Sequence, residues 1–388
     1  MWIVDGLIAA ARMAWEVWWA LVLGFLLSAV VQARVPRARI ERALGDRGAR
    51  DVGLATALGA ASSSCSYAAI AIAKSLFQKG ASLVAAMSFQ FASTNLVFEL
   101  GLVVWVLLGW QFTLAEFVGG IVLIVLLWIA LALLVSRDEE EEVRAHAVAA
   151  DTGHMHESSA SVAHNFRGDW QMLWKEILAG FLIAGYISLL PASFFNALFV
   201  TDAPPLVQTL ENVIVGPIVA ALSFVCSIGN IPLAAVLWSG GISFGGVIAF
   251  IFADLIILPI ISAYRKYYGA RFAAILTAVM FGAMVLAALL VDGVFSLLGL
   301  VPTHRPPIDS ITERAVTWNY TTVLDLIFTV VFVALIAKTV RGGARDPVCG
   351  MTVDRSGGGP TSRFHGRTFF FCSGHCKHTF DHDPEAYA

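Results

Sequence analysis

Two short stretches place reactive side chains inside otherwise apolar sequence. They are Ser62-Ser63-Ser64-Cys65-Ser66-Tyr67 and Ser223-Phe224-Val225-Cys226-Ser227-Ile228. Each offers one soft sulfur with hydroxyls close by. Such donors suit Cu(I), Zn(II) and trivalent arsenic, and suit hard cations badly. The two cysteines are 161 positions apart, and the same shift sets Ala60, Ile70, Ala73, Leu76, Gly80, Ser82, Phe89, Phe91 and Ala92 on identical residues without a gap. This is the mark of an internal duplication. In a membrane protein, a duplicated polar break in an apolar helix points to a transport site at the repeat interface. A single buried cysteine is commonly just a small hydrophobe, but two at equivalent positions favour a function.

The neighbours of each thiol extend the donor set. Ser62 and Ser223 precede their cysteines by three positions and on a helix would share a face with them. Ser66 and Ser227 follow directly. The second copy adds Gly229, Asn230 and Pro232, and a proline frees backbone carbonyls that can line a cavity. The sequence therefore predicts an asymmetric site, open around Cys226 and more helical around Cys65. Two carboxylates stand within apolar runs: Glu99, four positions after Asn95, and Asp254, which aligns with Ser93. An ionisable group at mid-membrane costs several kcal/mol unless partnered. Glu99 and Asp254 are thus candidates for proton or charge coupling, and Asn95 and Asn230 for oxygen ligands. Lys74 and Glu116 read as span-end residues that snorkel to the surface. The plainer reading of the serines is close helix packing, which accounts less well for the matched cysteines.

The other three of the five cysteines, Cys349, Cys372 and Cys376, lie in a polar tail. Three thiolates can hold Zn or Cu, with His375 or His378 as a fourth ligand. The alternative is a small packed domain with reduced thiols. A stabilising disulfide framework is not expected of such a chain. Between the apolar runs, Ser136 to Gly168 forms a polar segment with an acidic start and His146, His154, Met155, His156 and His164. It reads as a solvated loop able to collect a metal loosely.

The surrounding elements are set by hydropathy. Of 388 residues, 58% are hydrophobic and only 14% charged, where soluble domains carry about a quarter. An integral membrane protein follows, with the bilayer as a partner, a homo-oligomer possible and no sign of nucleic-acid binding. Apolar runs at 15–33, 52–74, 81–109, 113–136, 171–191, 206–238, 241–263, 271–300 and 321–338 give about nine spans of bilayer length. The dense basic segment Arg34 to Arg50 belongs in the cytoplasm by the positive-inside tendency. Counting spans from there puts the C-terminal domain in the cytoplasm, the acidic segment on the outer face and Lys74 and Lys79 outside. The copies, four spans apart, then share one orientation as parallel repeats; the alternative is a broken or re-entrant helix at 52–74, or a half-helix at the polar breaks, which changes the count. The predicted fold class is an all-α polytopic membrane protein with two internal repeats and a small α+β cysteine-bearing C-terminal domain. Its divisions are a membrane domain over 1–341 (repeats about 13–136 and 171–300), a polar loop over 137–170 and a tail domain over 345–388.

At the tail the sequence becomes recognisable. Asp346-Pro347-Val348-Cys349-Gly350-Met351, Phe364 to Ser373, and Phe380 with Asp383-Pro384-Glu385-Ala386-Tyr387 resemble a YHS domain. The membrane part resembles the predicted permease family that includes the ArsP organoarsenical exporters and proposed copper/zinc exporters. The resemblance is carried by the Cys-Ser repeats, Gly229-Asn230-Ile231-Pro232, and Phe252 to Pro259 running on to Tyr264-Arg265-Lys266-Tyr267-Tyr268-Gly269. Ser63 stands where that family often has a second cysteine, and Ala71 stands opposite Pro232. The resemblance implies a secondary transporter in a bacterial inner membrane that exports a thiophilic metal or metalloid, without a required cofactor. No phosphate-binding Gly-x4-Gly-Lys-Ser/Thr loop is present to drive it. Two other readings are a membrane thiol oxidoreductase using Cys65 and Cys226, against which the lack of Cys-x-x-Cys weighs, and a membrane-anchored metal sensor or chaperone.

Overall fold

A computed structural model describes residues 2–16, 18–62, 65–151, 162–187, 189–191, 193–194, 197–201, 203–223, 227–305, 320–349, 352–354, 360–371 and 374–387. Its membrane part is helical: α1 (Trp2–Glu16), α2 (Trp18–Arg34), α3 (Arg37–Leu44), α4 (Ala49–Ser62), α5 (Ser66–Gln78), α6 (Leu83–Asn95), α7 (Phe98–Leu108), α8 (Trp110–Leu134), α9 (Arg137–Asp151), α10 (Val162–Ile187), α11 (Pro205–Ser223), α12 (Ser227–Ser239), α13 (Phe244–Phe252), a 3₁₀ turn (Ala253–Leu255), α14 (Leu258–Tyr268), α15 (Ala270–Leu297) and α16 (Tyr320–Gly342). Among the described residues, four helices are long and apolar enough to cross a bilayer alone, and three bent pairs pass the same test together. Leu133, Val106, Val330 and Leu297 are among the large apolar side chains left exposed, as lipid-facing residues must be.

The duplication is visible in the elements. Shifting α5 by 161 positions lands on α12. Ser82 caps α6 by accepting from the Ala85 amide, and Ser243 caps α13 by accepting from the Gly246 amide. The turns before these caps hold Gly80 at φ 99° and Gly241 at φ 105°, a left-handed conformation that glycine adopts without strain.

Contacts at the helix ends show which way each element runs. Arg47 binds the Val135 carbonyl at the end of α8, and the Lys79 ammonium binds the Val31, Gln32 and Val35 carbonyls. These groups define a basic end of the bundle. At the opposite end Gln208 binds the Gly241 carbonyl, Arg305 binds the Trp238 carbonyl, and Phe112 packs on Trp238. α4 therefore enters from the basic end, and α5 returns to it. α11 enters from the opposite end, and α12 returns there. Each pair is a hairpin reaching mid-bundle. α8 runs toward the basic end; α15 starts beside His146 at that end and runs away from it.

These directions correct three expectations. The runs 52–74 and 206–238 are turning hairpins, since hydropathy does not distinguish a segment that crosses from one that turns back. The α4–α5 hairpin enters from the basic end and the α11–α12 hairpin from the opposite one. The copies therefore run in opposite senses, where the span count made them parallel. The acidic segment is not a loop on the far face: its first part is α9, and Glu140 pairs with Arg47 and Arg144 at the basic end. Lys79 lies at that end too.

After α16 comes the tail domain. β1 (Gly343–Arg345) pairs antiparallel with β2 (Thr352–Asp354), and β3 (Thr361–Phe364) with β4 (Arg367–Phe370). α17 (Gly374–His382) supplies Cys376 and Phe380, which form a small core with Phe371.

Candidate functional site

The two hairpins meet at Asp254. Ser66 and Ser227, the first residues of α5 and α12, lie 3.0 Å apart through their hydroxyls. Both donate to Asp254 Oδ2, at 2.9 Å and 2.5 Å. Residues related by the 161-position shift thus touch each other and share one carboxylate oxygen. The local fold explains it: α5 and α12 begin at mid-bundle, so their amino ends face the same point, where a negative charge is favoured. Asp254 arrives on the 3₁₀ turn, where the chain bends by 42° between α13 and α14.

The centre holds more polar atoms than it satisfies. Asp254 is fully buried, and its Oδ1 has no hydrogen-bond partner among the described residues. Asn95 Oδ1 and both amide atoms of Asn230 are likewise buried without one. Asn95 Nδ2 donates to the Phe91 carbonyl and the Thr94 hydroxyl, and Thr94 and Asn95 both approach the Asp254 carboxyl. One turn of the fold away, Gln90 Nε2 donates to the Tyr264 hydroxyl at 2.5 Å. Each orphaned buried polar atom costs about 1–3 kcal/mol, so a further hydrogen-bonding or coordinating partner here would be stabilising.

The thiol readings fare unevenly. Cys65 is buried beside Ser66 and precedes α5 in extended conformation, φ −69° and ψ 159°. It is not helical, although the first copy has no proline to break its helix; the expected asymmetry with the Cys226 half falls partly outside the described residues. That break also removes the supposed shared face. Ser62 ends α4 and donates back to the Gly59 carbonyl, as Ser223 ends α11 and donates to the Ala220 carbonyl. These hydroxyls satisfy helix-end carbonyls. Cys226 lies outside the described residues, as does the side chain of Glu99, whose backbone opens α7.

Two charged residues were misjudged by sequence. Glu116 does not snorkel: it is 0% exposed on the inner face of α8. Lys74 is buried too, its ammonium 4.8 Å from the Tyr267 ring centroid. Glu116 stands seventh in a 25-residue helix, a place that resembles a span end when only the apolar run is visible.

In the tail, Asp346, Cys349 and Cys376 bring ligand atoms within 4.8 Å of one another. Neither cysteine is disulfide-bonded. Sequence reading found both thiols and missed Asp346, which is buried and accepts the Val348 amide at 2.8 Å. Cys372 and the side chain of His375 lie outside the described residues, as do His154, Met155 and His156. Two thiols and a carboxylate at this spacing fit a tetrahedral site for Zn or Cu(I).

Residues 7–293 match the family described as "predicted permease" and residues 344–388 match the YHS domain. A protein of Mycobacterium tuberculosis (strain ATCC 25618 / H37Rv) named "Putative permease Rv2963" is 45% identical over 332 residues, covering 80% of this chain and 81% of its own. A "Copper-transporting P-type ATPase" of Rhizobium leguminosarum bv. viciae is 51% identical over 50 residues, 13% of this chain and 6% of its own. No solved structure matches the chain significantly.

Proposed function

The chain belongs to the predicted permease family, and from that premise we propose that it is a secondary transporter exporting a thiophilic metal or metalloid through the centre built on Asp254. The observation that carries this reading is the shared carboxylate: Ser66 and Ser227 on one oxygen, with unsatisfied Asn95 and Asn230 close by in the fold. Cys65, and Cys226 from the matching position, supply the soft ligands. Ser66, Ser227, Asn95 and Asn230 supply oxygens, and Asp254 supplies charge. Glu99 remains a second candidate for coupling. The opposite senses of the two repeats support alternating access by rocking one against the other. Arg34, Arg39, Arg47, Lys79, Arg144 and Lys266 gather at one end, which favours that end as the cytoplasmic face of an inner membrane.

The tail domain fits delivery or sensing of the same metal. Asp346, Cys349 and Cys376 would hold it, Cys372 completing the set, and a bound Zn or Cu(I) would cross-link β1 and α17. The likeness of the tail to part of a copper-transporting ATPase favours copper among the candidates. Inside-out vesicles offered Cu(I), Zn(II), arsenite and methylated arsenicals test the reading. Uptake of at least one should fall roughly a hundredfold in Asp254→Asn and tenfold or more in Cys65→Ser and Cys226→Ser. Undiminished transport in all three variants refutes it.

A further inference from the structure

Glu116 is buried in the middle of the described helices, and the reading above gives it no task. Both of its carboxyl oxygens lack a hydrogen-bond partner among the described residues, and none of either is exposed. Its helix closes on the central site. Gly119 lies against Phe252, two residues before Asp254, and Gly120 lies against Asn95 and Leu96. The absence of side chains at these glycines lets α8 approach the break between α6 and α7 and the 3₁₀ turn. Among the described titratable groups, Asp254 is the one whose charge acts on Glu116. Tyr264 faces Asp254 from α14. The described parts of α6, α7 and α13 carry no titratable group toward Glu116, and on α15 Asp292 is engaged with the Gly245 amide near the opposite end.

Two buried carboxylates whose charges act on each other need a compensating positive charge. Asp254 has its hydroxyl donors at the two helix ends, whereas Glu116 has none. We propose that Glu116 is the proton-binding residue of the transport cycle, holding a proton while the cation site at Asp254 is empty and releasing it when the cation binds. The exchange is balanced: one proton from the aqueous phase bonds to a Glu116 oxygen, and that O–H bond breaks to return the proton to water as cation charge arrives. No redox change is involved. The assignment rests on the transporter reading for its cation, but not for its proton.

Inside-out vesicles containing the full chain separate the two. Cu(I) and Zn(II) as cations, and arsenite and methylarsonous acid as uncharged comparison species to which the proton-for-cation exchange does not apply, are each supplied alone, and two rates are read: uptake driven by a pH gradient, and exchange against the same species preloaded inside. Glu116→Gln should lower gradient-driven uptake about tenfold or more and abolish its pH dependence. It should leave exchange within about twofold of the native rate. Glu116→Asp should retain pH-dependent uptake. Equal loss of uptake and exchange in the Gln variant, or unchanged pH-dependent uptake, overturns the assignment. If the native protein performs neither process with any probe, the transporter reading itself fails. Infrared spectra of the purified chain then decide the proton: a protonated-carboxyl band that vanishes in Glu116→Gln supports the assignment, and a band that persists unchanged overturns it.

Discussion

Arg144 and Arg305 make the same contact at opposite ends of the bundle. They are 161 positions apart, as are their targets Phe77 and Trp238. Arg144 Nη1 donates to the Phe77 carbonyl with its guanidinium 4.4 Å from the Phe77 ring centroid. Arg305 Nη1 donates to the Trp238 carbonyl at 2.6 Å with its guanidinium 4.1 Å from the Trp238 ring centroid. Each arginine thus ties down the returning arm of one hairpin by a charge-assisted hydrogen bond and a cation–π contact. At the basic end the tie is reinforced, because Arg144 also reaches the Ala81 carbonyl and Glu140 accepts the Leu83 amide.

If these contacts hold the hairpins shut, removing either should open one side only. Arg144→Ala should raise labelling of Cys65 by an impermeant maleimide from the basic face about tenfold, as expected for losing a buried charged hydrogen bond. Arg305→Ala should do so from the other face. Peptide mass analysis identifies the labelled cysteine. Opening from the same face in both variants, or from neither, would remove the gating role.

Much of this was legible in the residues, and what was not has physical reasons. The 161-position shift exposed Cys65, Ser66, Cys226 and Ser227, and it set Asp254 beside the Asn95 region, because identical side chains recur in register. The hairpins were legible only as an alternative, signalled by Lys74 and Lys79 on the unexpected side, because a run such as 52–74 has the same hydropathy whether it crosses or turns back. Glu116 was hidden because its burial depends on Gly119 and Gly120 meeting α6 and the 3₁₀ turn, a long-range packing fact. Arg144 and Arg305 obey the same shift but fall outside the stretch of identities, in a polar segment where a basic residue carries no structural signal. Asp346 was visible only as part of a turn motif, and its approach to Cys376 requires the tail to fold.

The two serines should act as a unit. Ser66→Ala leaves Ser227 on Asp254 Oδ2, and the converse holds, so each single change should slow transport modestly. The double change strips that oxygen of both hydroxyl donors. A double-mutant cycle on transport rate should show coupling of about 0.5–3 kcal/mol. Additivity within a few tenths of a kcal/mol would mean that the hydroxyls act independently.

Packing of the first hairpin offers a paired test on one helix. A Cβ at Gly59 would lie 2.3 Å from the Phe89 carbonyl oxygen and 2.9 Å from Ala92 Cβ, whereas one at Gly53 would meet nothing within 4 Å. Gly59→Ala should therefore destabilise the purified chain by about 1–3 kcal/mol through overpacking. Gly53→Ala should stabilise it by about 0.5–1 kcal/mol through helix propensity. Thermal unfolding in detergent reads both, and equal shifts would contradict the close approach of α4 and α6.

The tail carries a pH dependence of known sign. Asp381 is held below the ordinary carboxylate range, first by the hydrogen bond from Lys377 and then by that from Ser362. A depressed folded value means a stabilising contribution that is present above the unfolded value, about pH 4, and lost as pH falls through the lower folded one. Hydrogen exchange at the α17 amides should speed up over that acid window, and Asp381→Asn should flatten the change. An unaltered profile in the variant would assign the acid sensitivity elsewhere.

Metal binding by the tail can be read by stoichiometry without any transport assay. Cys349 and Cys376 come from opposite ends of the domain sequence, so their convergence with Asp346 depends on the fold. Thiolate ligands dominate affinity for Cu(I) and Zn(II), with a carboxylate contributing less. Cys349→Ser and Cys376→Ser in the full chain should each lower bound Cu(I) or Zn(II) by one equivalent after dialysis. Asp346→Asn should retain the equivalent but weaken it by about 10–100-fold in chelator competition, since it keeps both thiols and loses a charge. The Asp346 carboxylate also accepts the Val348 amide, and the Asn side chain can still accept through its carbonyl oxygen, so the turn should survive. Unchanged stoichiometry in both thiol variants would show that Cys349 and Cys376 pack the domain and hold no metal.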